Sequence, residues 1–388
     1  MSAVGSRLLQ VLGAVLPQDG PKALHEPEFA GNEWAYTKEC IDSGWVSSAG
    51  KFVDEFEARL AQYTGARRAV AVVNGTAALE IALRLAGTQA GDEVLVPALT
   101  FVATANAVAH CGAVPHFVDS EEATLGLDPA ALEEHLARVA ERAAGGWRNR
   151  LSGRRLAAVV PMHALGHPAA MARILEVAAR YGLPVVEDAA ESLGSTLGGR
   201  HTGTFGLAGT LSFNGNKIVT TGGGGAILSN DETLAQRARH LTTTAKQPHP
   251  WRFVHDEVGY NYRLPNLNAA LGCAQMERLP DMLARKRRLA HAYRARLAGA
   301  DGLRFIDEPP GSVSNFWLNA VRLDIDGLEE RDSIIGSLVA AGYHCRPLWT
   351  LMHRLPMFRD CSRAPLPVAE RLEVSVIKLP SSAKLVQN

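Results

Sequence analysis

From about residue 69 to residue 230, short continuous apolar runs alternate with longer segments of helical periodicity. Residues 69–73, 93–96, 114–118, 157–160 and 185–187 are rich in Val, Ala and Leu at successive positions, which predicts buried parallel strands. Residues 76–85, 102–109, 129–144 and 171–181 carry apolar positions three and four apart and predict the helices between them. Alternation of this kind predicts an α/β doubly wound lobe. One helix is expected from 230 to about 245 and a long one from 267 to about 297. Between Lys246 and Trp251, Pro248 and Pro250 forbid regular helix. From about 303 strands and helices alternate again and predict a smaller second lobe. Near the start, Leu8, Leu9, Val11, Leu12, Val15 and Leu16 follow helical spacing over a run too short to span a membrane. The expected organisation is an N-terminal helix or arm over 1–26, a large domain over 27–255, and a linking helix with a small domain over 256–388.

Composition narrows the possible partners. Lys plus Arg and Asp plus Glu both total 40, so no global basic field exists for nucleic acid or an anionic membrane. Anionic ligands must be caught by local groups. The basic run at 145–155 has two readings, a solvated surface loop, which is the commoner use of such a run, or a phosphate contact. Five dispersed cysteines with no C-x-x-C pair predict reduced thiols. With no signal-peptide pattern at the start, a cytoplasmic location is expected.

Candidate chemistry centres on Lys217, which stands alone in charge between Leu211 and Gly225 and precedes four consecutive glycines. A lysine sheltered in this way is suited to act as a nucleophilic amine, and nearby glycines permit close backbone approach to a flat ring. Asn74-Gly75-Thr76-Ala77 ends one strand and opens a helix, so its backbone N–H groups could cradle a phosphate, with the Ser212 hydroxyl added. Thr76 could equally be a simple helix cap. Asp188 ends an apolar strand at the sheet edge where ligands bind. It could hold a pyridine nitrogen protonated, or only cap the next helix. Phe101, after the second strand, offers a face for stacking or a core side chain. His163 and His167 invite a metal reading, but Gly166 and Pro168 spoil a helical pair, no acidic ligands accompany them, and no metal is expected.

The order phosphate cup, aromatic, aspartate, lysine resembles the fold-type I pyridoxal phosphate (PLP) enzymes. More narrowly, the chain resembles the sugar aminotransferases of the DegT/DnrJ/EryC1/StrS family from about residue 27 to 382. The supporting residues are Asn74-Gly-Thr-Ala-Ala-Leu79, Thr100-Phe-Val-Ala-Thr104, Glu187-Asp-Ala-Ala190, Ser212-Phe213 with Lys217, and Gly259-Tyr-Asn-Tyr-Arg-Leu264. The resemblance implies a large, mostly parallel sheet of seven-stranded type with a smaller C-terminal α/β lobe. It implies that Lys217 forms the Schiff base with PLP and shuttles protons, while Asp188 pairs the ring nitrogen and Phe101 stacks on the ring. Gly75, Thr76, Ala77 and Ser212 would hold the phosphate. Asn261 would reach the phosphate of a neighbouring subunit, making a homodimer the functional unit. Glu191 stands near the ring hydroxyl where many relatives carry Gln.

The implied reaction is ping-pong transfer from L-glutamate, through pyridoxamine phosphate, to C4 of a nucleotide-linked 4-keto-6-deoxy sugar. Arg346-Pro-Leu-Trp-Thr350 and Thr242-Thr-Thr-Ala-Lys246 resemble the branch using UDP-4-keto-6-deoxy-GlcNAc, with a GDP- or dTDP-linked sugar as the alternative. Lys246, Trp251, Tyr262, His344, Arg346 and Trp349 are the expected sugar-nucleotide contacts. A C3 dehydratase would lack this lysine or add an iron–sulfur cluster, and a non-catalytic sugar-nucleotide binder would not need the lysine.

Overall fold

The computed structural model describes residues 2–386. Seven strands build the large lobe: β1 (Arg68–Val72), β2 (Glu93–Pro97), β3 (Val114–Val118), β4 (Leu156–Val159), β5 (Val186–Asp188), β6 (Ala208–Ser212) and β7 (Gly225–Ser229). They pair as a four-stranded set, β1-β7-β6-β5, and a three-stranded set, β3-β2-β4. Parallel bridges Val159↔Val185 and Met162↔Asp188 join the sets. Only β7 runs against its neighbours; the remaining pairings are parallel. Helices cover the sheet, so β2 is buried at every position and β1 at all but its first. Parallel strands with helical crossovers bring their carboxyl ends to one edge.

One expectation fails and another holds only in part. The helix predicted over 129–144 ends at Val139, where Ala140 turns extended (φ −79°, ψ 131°). Ala140–Ala143 then pairs with Gly146–Asn149 as an antiparallel hairpin. Gly145 and Gly146 make the turn with φ of 87° and 133°, a region that favours glycine. The basic run is therefore split: Gly146–Asn149 is a strand of the hairpin, while 150–154 form an exposed turn as the solvated-loop reading expects. Trp147 packs edge-on against Tyr181 at 4.9 Å and lies under the Arg142 guanidinium. Arg148 pairs with Glu141, and Arg155 with Asp92. Buried Asn149 donates to Glu93 Oε2 at 2.9 Å, clasping the hairpin to the start of β2.

The small lobe carries β8 (Leu303–Phe305), β9 (Asn319–Leu323), β10 (Arg346–Pro347) and β11 (Val376–Leu379), antiparallel in the order β8-β9-β11-β10. The long helix Asn266–Leu297 links the lobes. The N-terminal helix Ala3–Val15 belongs with the small lobe, since Leu8, Leu12 and Leu16 bury against Leu289, Tyr293, Leu338 and Ile377. A second apolar cluster runs from the large sheet to Trp317, Leu318 and Leu348 and locks the two lobes together. All five cysteines are free thiols, four of them buried. Among the described residues, no helix is long and apolar enough to cross a membrane.

The hairpin clasp has a pH signature. Burial opposes ionisation of Glu93, but hydrogen bonds from His116 and Asn149 outweigh it and hold the carboxyl at about 2, against an ordinary 4.5. A depressed carboxyl contributes stability above its unfolded value and loses it as pH falls through its folded one. Asn149→Ala should cost about 1–3 kcal/mol in urea unfolding at pH 7. The difference from the wild type should shrink as pH falls from 4.5 toward 2. Equal stability at pH 7 would show that the clasp contributes nothing.

Candidate active site

At the carboxyl edge of the sheet, between the lobes, lies a cavity of about 540 Å³. Gly75, Thr76, Phe101, Asp188, Glu191, Ser212, Lys217 and Trp349 all line it. These eight expected site residues come from segments far apart in sequence.

The helix Gly75–Leu85 points its first turn at the cavity. Its cap is Asn74, not Thr76: the Asn74 side chain accepts the Ala77 N–H at 2.8 Å. That bond engages the Ala77 amide, and Ala77 does not line the cavity. The Gly75 and Thr76 amides, at a turn that has no intrahelical acceptors, remain the available donors. A Cβ on Gly75 would stand 2.9 Å from the Ser212 Cβ, so glycine lets the two segments meet.

The glycine tract has a different use from the one expected. A Cβ on Gly225 would lie 2.5 Å from the Asn74 carbonyl carbon, and one on Gly224 would lie 2.2 Å from Thr221 Oγ1. The tract therefore lets β7 press against the Asn74 turn and against its own loop. Only Gly223 and Gly224 of the four also face the cavity.

Asp188 is almost fully buried at the end of β5. Thr104 donates to its Oδ2 at 2.8 Å, and the Ala190 N–H to its Oδ1 at 3.2 Å. Burial raises its pKa, opposed by Thr104 and more weakly by Lys217 and His163. No helix follows β5, so Asp188 is not a helix cap. Thr100 and Thr104, one helical turn apart, join hydroxyls at 2.7 Å and support it from below.

Lys217 reaches into the cavity with its Nζ 3.5 Å from Glu191 Oε1 and 3.8 Å from the centre of the Trp317 ring. Glu191 is buried, and its Oε2 accepts the Leu165 N–H at 2.8 Å. Burial raises the Glu191 pKa, and Lys217 is the chief opposing charge. The amine is thus held between a carboxylate and an aromatic face. Phe101 is half exposed at the rim, so its ring is open to a ligand and does not belong to the core.

The remaining expected contacts fall outside the cavity of one chain. Asn261 is exposed and bridges to Thr243. Tyr262 donates to Glu80 Oε2 at 3.1 Å. Lys246 lies over the Phe253 ring, and Trp251 is 75% exposed. His344 joins the Lys22 backbone, and Arg346 is exposed on β10. His163 bonds Glu187 through Nε2 and accepts the Ala169 N–H at Nδ1, both at 3.0 Å, which occupies its ring. His167 is fully buried, and burial lowers its pKa to about 4.

Sequence reasoning missed Trp317, Thr104, His25 and Lys378. Thr104 stood in a quoted motif, one turn from Thr100. Lys378 had a legible signal, a single charge inside the apolar run Val376-Ile-Lys-Leu379. His25 and Trp317 carried none.

Residues 27–388 match the DegT/DnrJ/EryC1/StrS aminotransferase family. The chain is 40% identical to a GDP-perosamine synthase of Caulobacter vibrioides over 364 residues, 93% of each protein. Among solved structures, the aminotransferase TlmJ from Streptoalloteichus hindustanus superposes with a TM-score of 0.85 at 31% identity, over 95% of both chains. DesI, solved in the presence of its TDP-sugar product, superposes with a TM-score of 0.81 at 32% identity, over 96% of this chain and 91% of DesI.

The close approach of β7 to the Asn74 turn is testable without substrate. Gly225→Ala should destabilise the protein by about 1–3 kcal/mol through overpacking. It should also loosen a phosphate-bearing ligand, read as PLP lost on dialysis by absorbance. Wild-type stability with full retention of PLP would contradict the geometry.

Proposed function

Because the chain belongs to the DegT/DnrJ/EryC1/StrS aminotransferase family, we propose that it moves the amino group of L-glutamate to C4 of a nucleotide-linked 4-keto-6-deoxy sugar. The protein is a PLP-dependent aminotransferase. The single observation carrying the proposal is the Lys217 amine lining the cavity beside Glu191, with Asp188 buried on the same sheet edge. Bound PLP supplies an electron sink for the carbon that loses its proton.

The residues present fit that group. The Gly75 and Thr76 amides and the Ser212 hydroxyl, which line one part of the cavity, would hold the phosphate. Asp188, fixed by Thr104, would hold the ring nitrogen protonated. Phe101, half exposed at the rim, would stack on one face of the ring. Lys217 takes the α-proton of the donor and later returns a proton to the sugar carbon. One amine acting first as base and then as acid serves both half-reactions. Glu191 keeps that amine oriented between turnovers.

A second copy of the chain completes the proposed site. Asn261, Lys246 and Trp251 lie outside the cavity of one chain, on a surface where Trp251, Phe253 and Val258 are each at least 75% exposed. Contiguous exposed apolar side chains mark interaction surfaces. In the homodimer, Asn261 reaches the neighbouring phosphate site.

The relatives support a nucleotide-linked acceptor through their names, which cite GDP-linked and TDP-linked sugars. The GDP reading draws on 40% identity over 93% of both chains. The UDP-4-keto-6-deoxy-GlcNAc reading draws only on the local resemblance of Thr242–Lys246 and Arg346–Thr350, with the residues around Lys217.

Offering L-glutamate with the UDP-, GDP- and dTDP-linked 4-keto-6-deoxy sugars in turn, with mass and NMR analysis of products, tests the proposal. An amine at C4 of one of them is expected, and no amine from any of them would sink the acceptor class. Lys217→Ala should reduce turnover by at least about a thousand-fold while leaving the unfolding midpoint close to wild type, because proton transfer and covalent catalysis are both lost. Near-normal product formation would remove Lys217 from its role.

A further inference from the structure

Lys378 lies in β11 within a run where all four residues are buried. It is 8% exposed and lines the cavity beside Trp349, its Nζ 5.0 Å from the centre of that ring. Another buried lysine, Lys286, shows how such a group is normally satisfied: its Nζ donates to the Trp317 and Ser381 carbonyls. Among the described residues, Lys378 makes no comparable hydrogen bond or ion pair. Glu191 is near enough to influence it electrostatically but forms no hydrogen bond or ion pair with it, its partners being the Leu165 amide and Lys217. Its Nζ is not sealed off but opens into the cavity, so its free donors are presented to whatever occupies that space.

The charged groups facing Lys378 are Glu191, Lys217 and Arg346. Arg346 stands directly across the sheet from it, on the same face. Leaving aside Lys217, which must be neutral to act as the base, Lys378 and Arg346 stand against the single carboxylate of Glu191 and suit this wall to an anion. We propose that Lys378 binds the α-carboxylate of the amino donor, an inference that rests on the donor half of the function proposed above. Lys217 takes the proton from the donor α-carbon, and the α-carboxylate is one bond from that carbon. Its receptor must therefore lie close to Lys217, as Lys378 does. The diphosphate of a sugar nucleotide is a poorer match. It hangs from C1, across the sugar ring from the reacting C4, and lies farther from the amine.

Burial lowers the pKa of Lys378 to about 8, with Glu191 opposing the shift and Lys217 and Arg346 adding to it. The cationic form is present below that pH and lost above it. Donor capture in the wild type should therefore weaken as pH rises past about 8.

The test uses the holoenzyme and three probes: L-glutamate, α-methylglutamate, which has no α-proton to lose, and 4-aminobutyrate, which lacks the α-carboxylate. In Lys378→Met, the half-saturating glutamate concentration in the donor half-reaction should rise about 10- to 100-fold, the loss expected for one charge-assisted hydrogen bond. The limiting rate should stay within about three-fold on the same reasoning. Binding of α-methylglutamate, followed by tryptophan fluorescence, should weaken by the same factor, and 4-aminobutyrate should be unaffected. Lys378→Arg should keep the preference for glutamate and remove the alkaline weakening, since a guanidinium stays charged. Equal losses for glutamate and 4-aminobutyrate, or no loss for either, would overturn the assignment. If Lys378→Met does not fold, an alkaline weakening that persists in Lys378→Arg overturns it equally. Failure of every keto-sugar, with the donor half-reaction intact, would remove the acceptor proposal and leave this one standing.

Discussion

The site depends on one constraint, the parallel register of β5 on β6. That pairing sets Asp188 beside Thr210 and ends both strands at the same sheet edge. The chain leaving β6 then needs only five residues from Ser212 to bring Lys217 over the edge. β7 returns antiparallel and, through Gly225, presses on the Asn74 turn, so the helix Gly75–Leu85 meets Ser212 at the same place. Phosphate end, buried carboxyl and amine are therefore positioned by backbone pairing, and side-chain flexibility has little influence on their spacing.

Burial then sets the electrostatics. Asp188 and Glu191 are both pushed toward their neutral forms by desolvation, and Lys217 opposes this in each case. Lys217 is the chief counterweight for Glu191, while for Asp188 the Thr104 and Ala190 hydrogen bonds oppose burial more strongly than Lys217 does. Lys378 adds a second cation to the wall next to Glu191. A site with two buried acids and two lysines is sensitive to any change that neutralises one of them, which fits a centre that must exchange protons between substrates.

Much of this was legible in the sequence because parallel strands announce themselves as continuous apolar runs, and because ligand residues follow such runs directly. Asp188, Gly75 and Thr76 were readable because they follow apolar runs directly, and Lys217 because it is the single charge before a glycine tract; the cavity brings them together with Ser212. The Asn74 cap on the Ala77 amide was not foreseen, because the sequence offered Thr76 as the capping residue. The hairpin at 140–149 was hidden because Ala140, Ala143 and Ala144 continue a helical pattern that only the Gly145-Gly146 turn interrupts. Lys378 and Trp317 arrive from the small lobe, and no local pattern records which lobe faces which. Asn261, Lys246 and Trp251 lie outside the cavity of a single chain.

Two lysines line the cavity, and the account assigns the cofactor to only one of them. Reducing the PLP-loaded protein with borohydride fixes the linkage, and peptide mass spectrometry then locates it. The account predicts the pyridoxyl mass on the peptide containing Lys217, with Lys378 unmodified. The mass on Lys378, or on no lysine of the cavity, would contradict it.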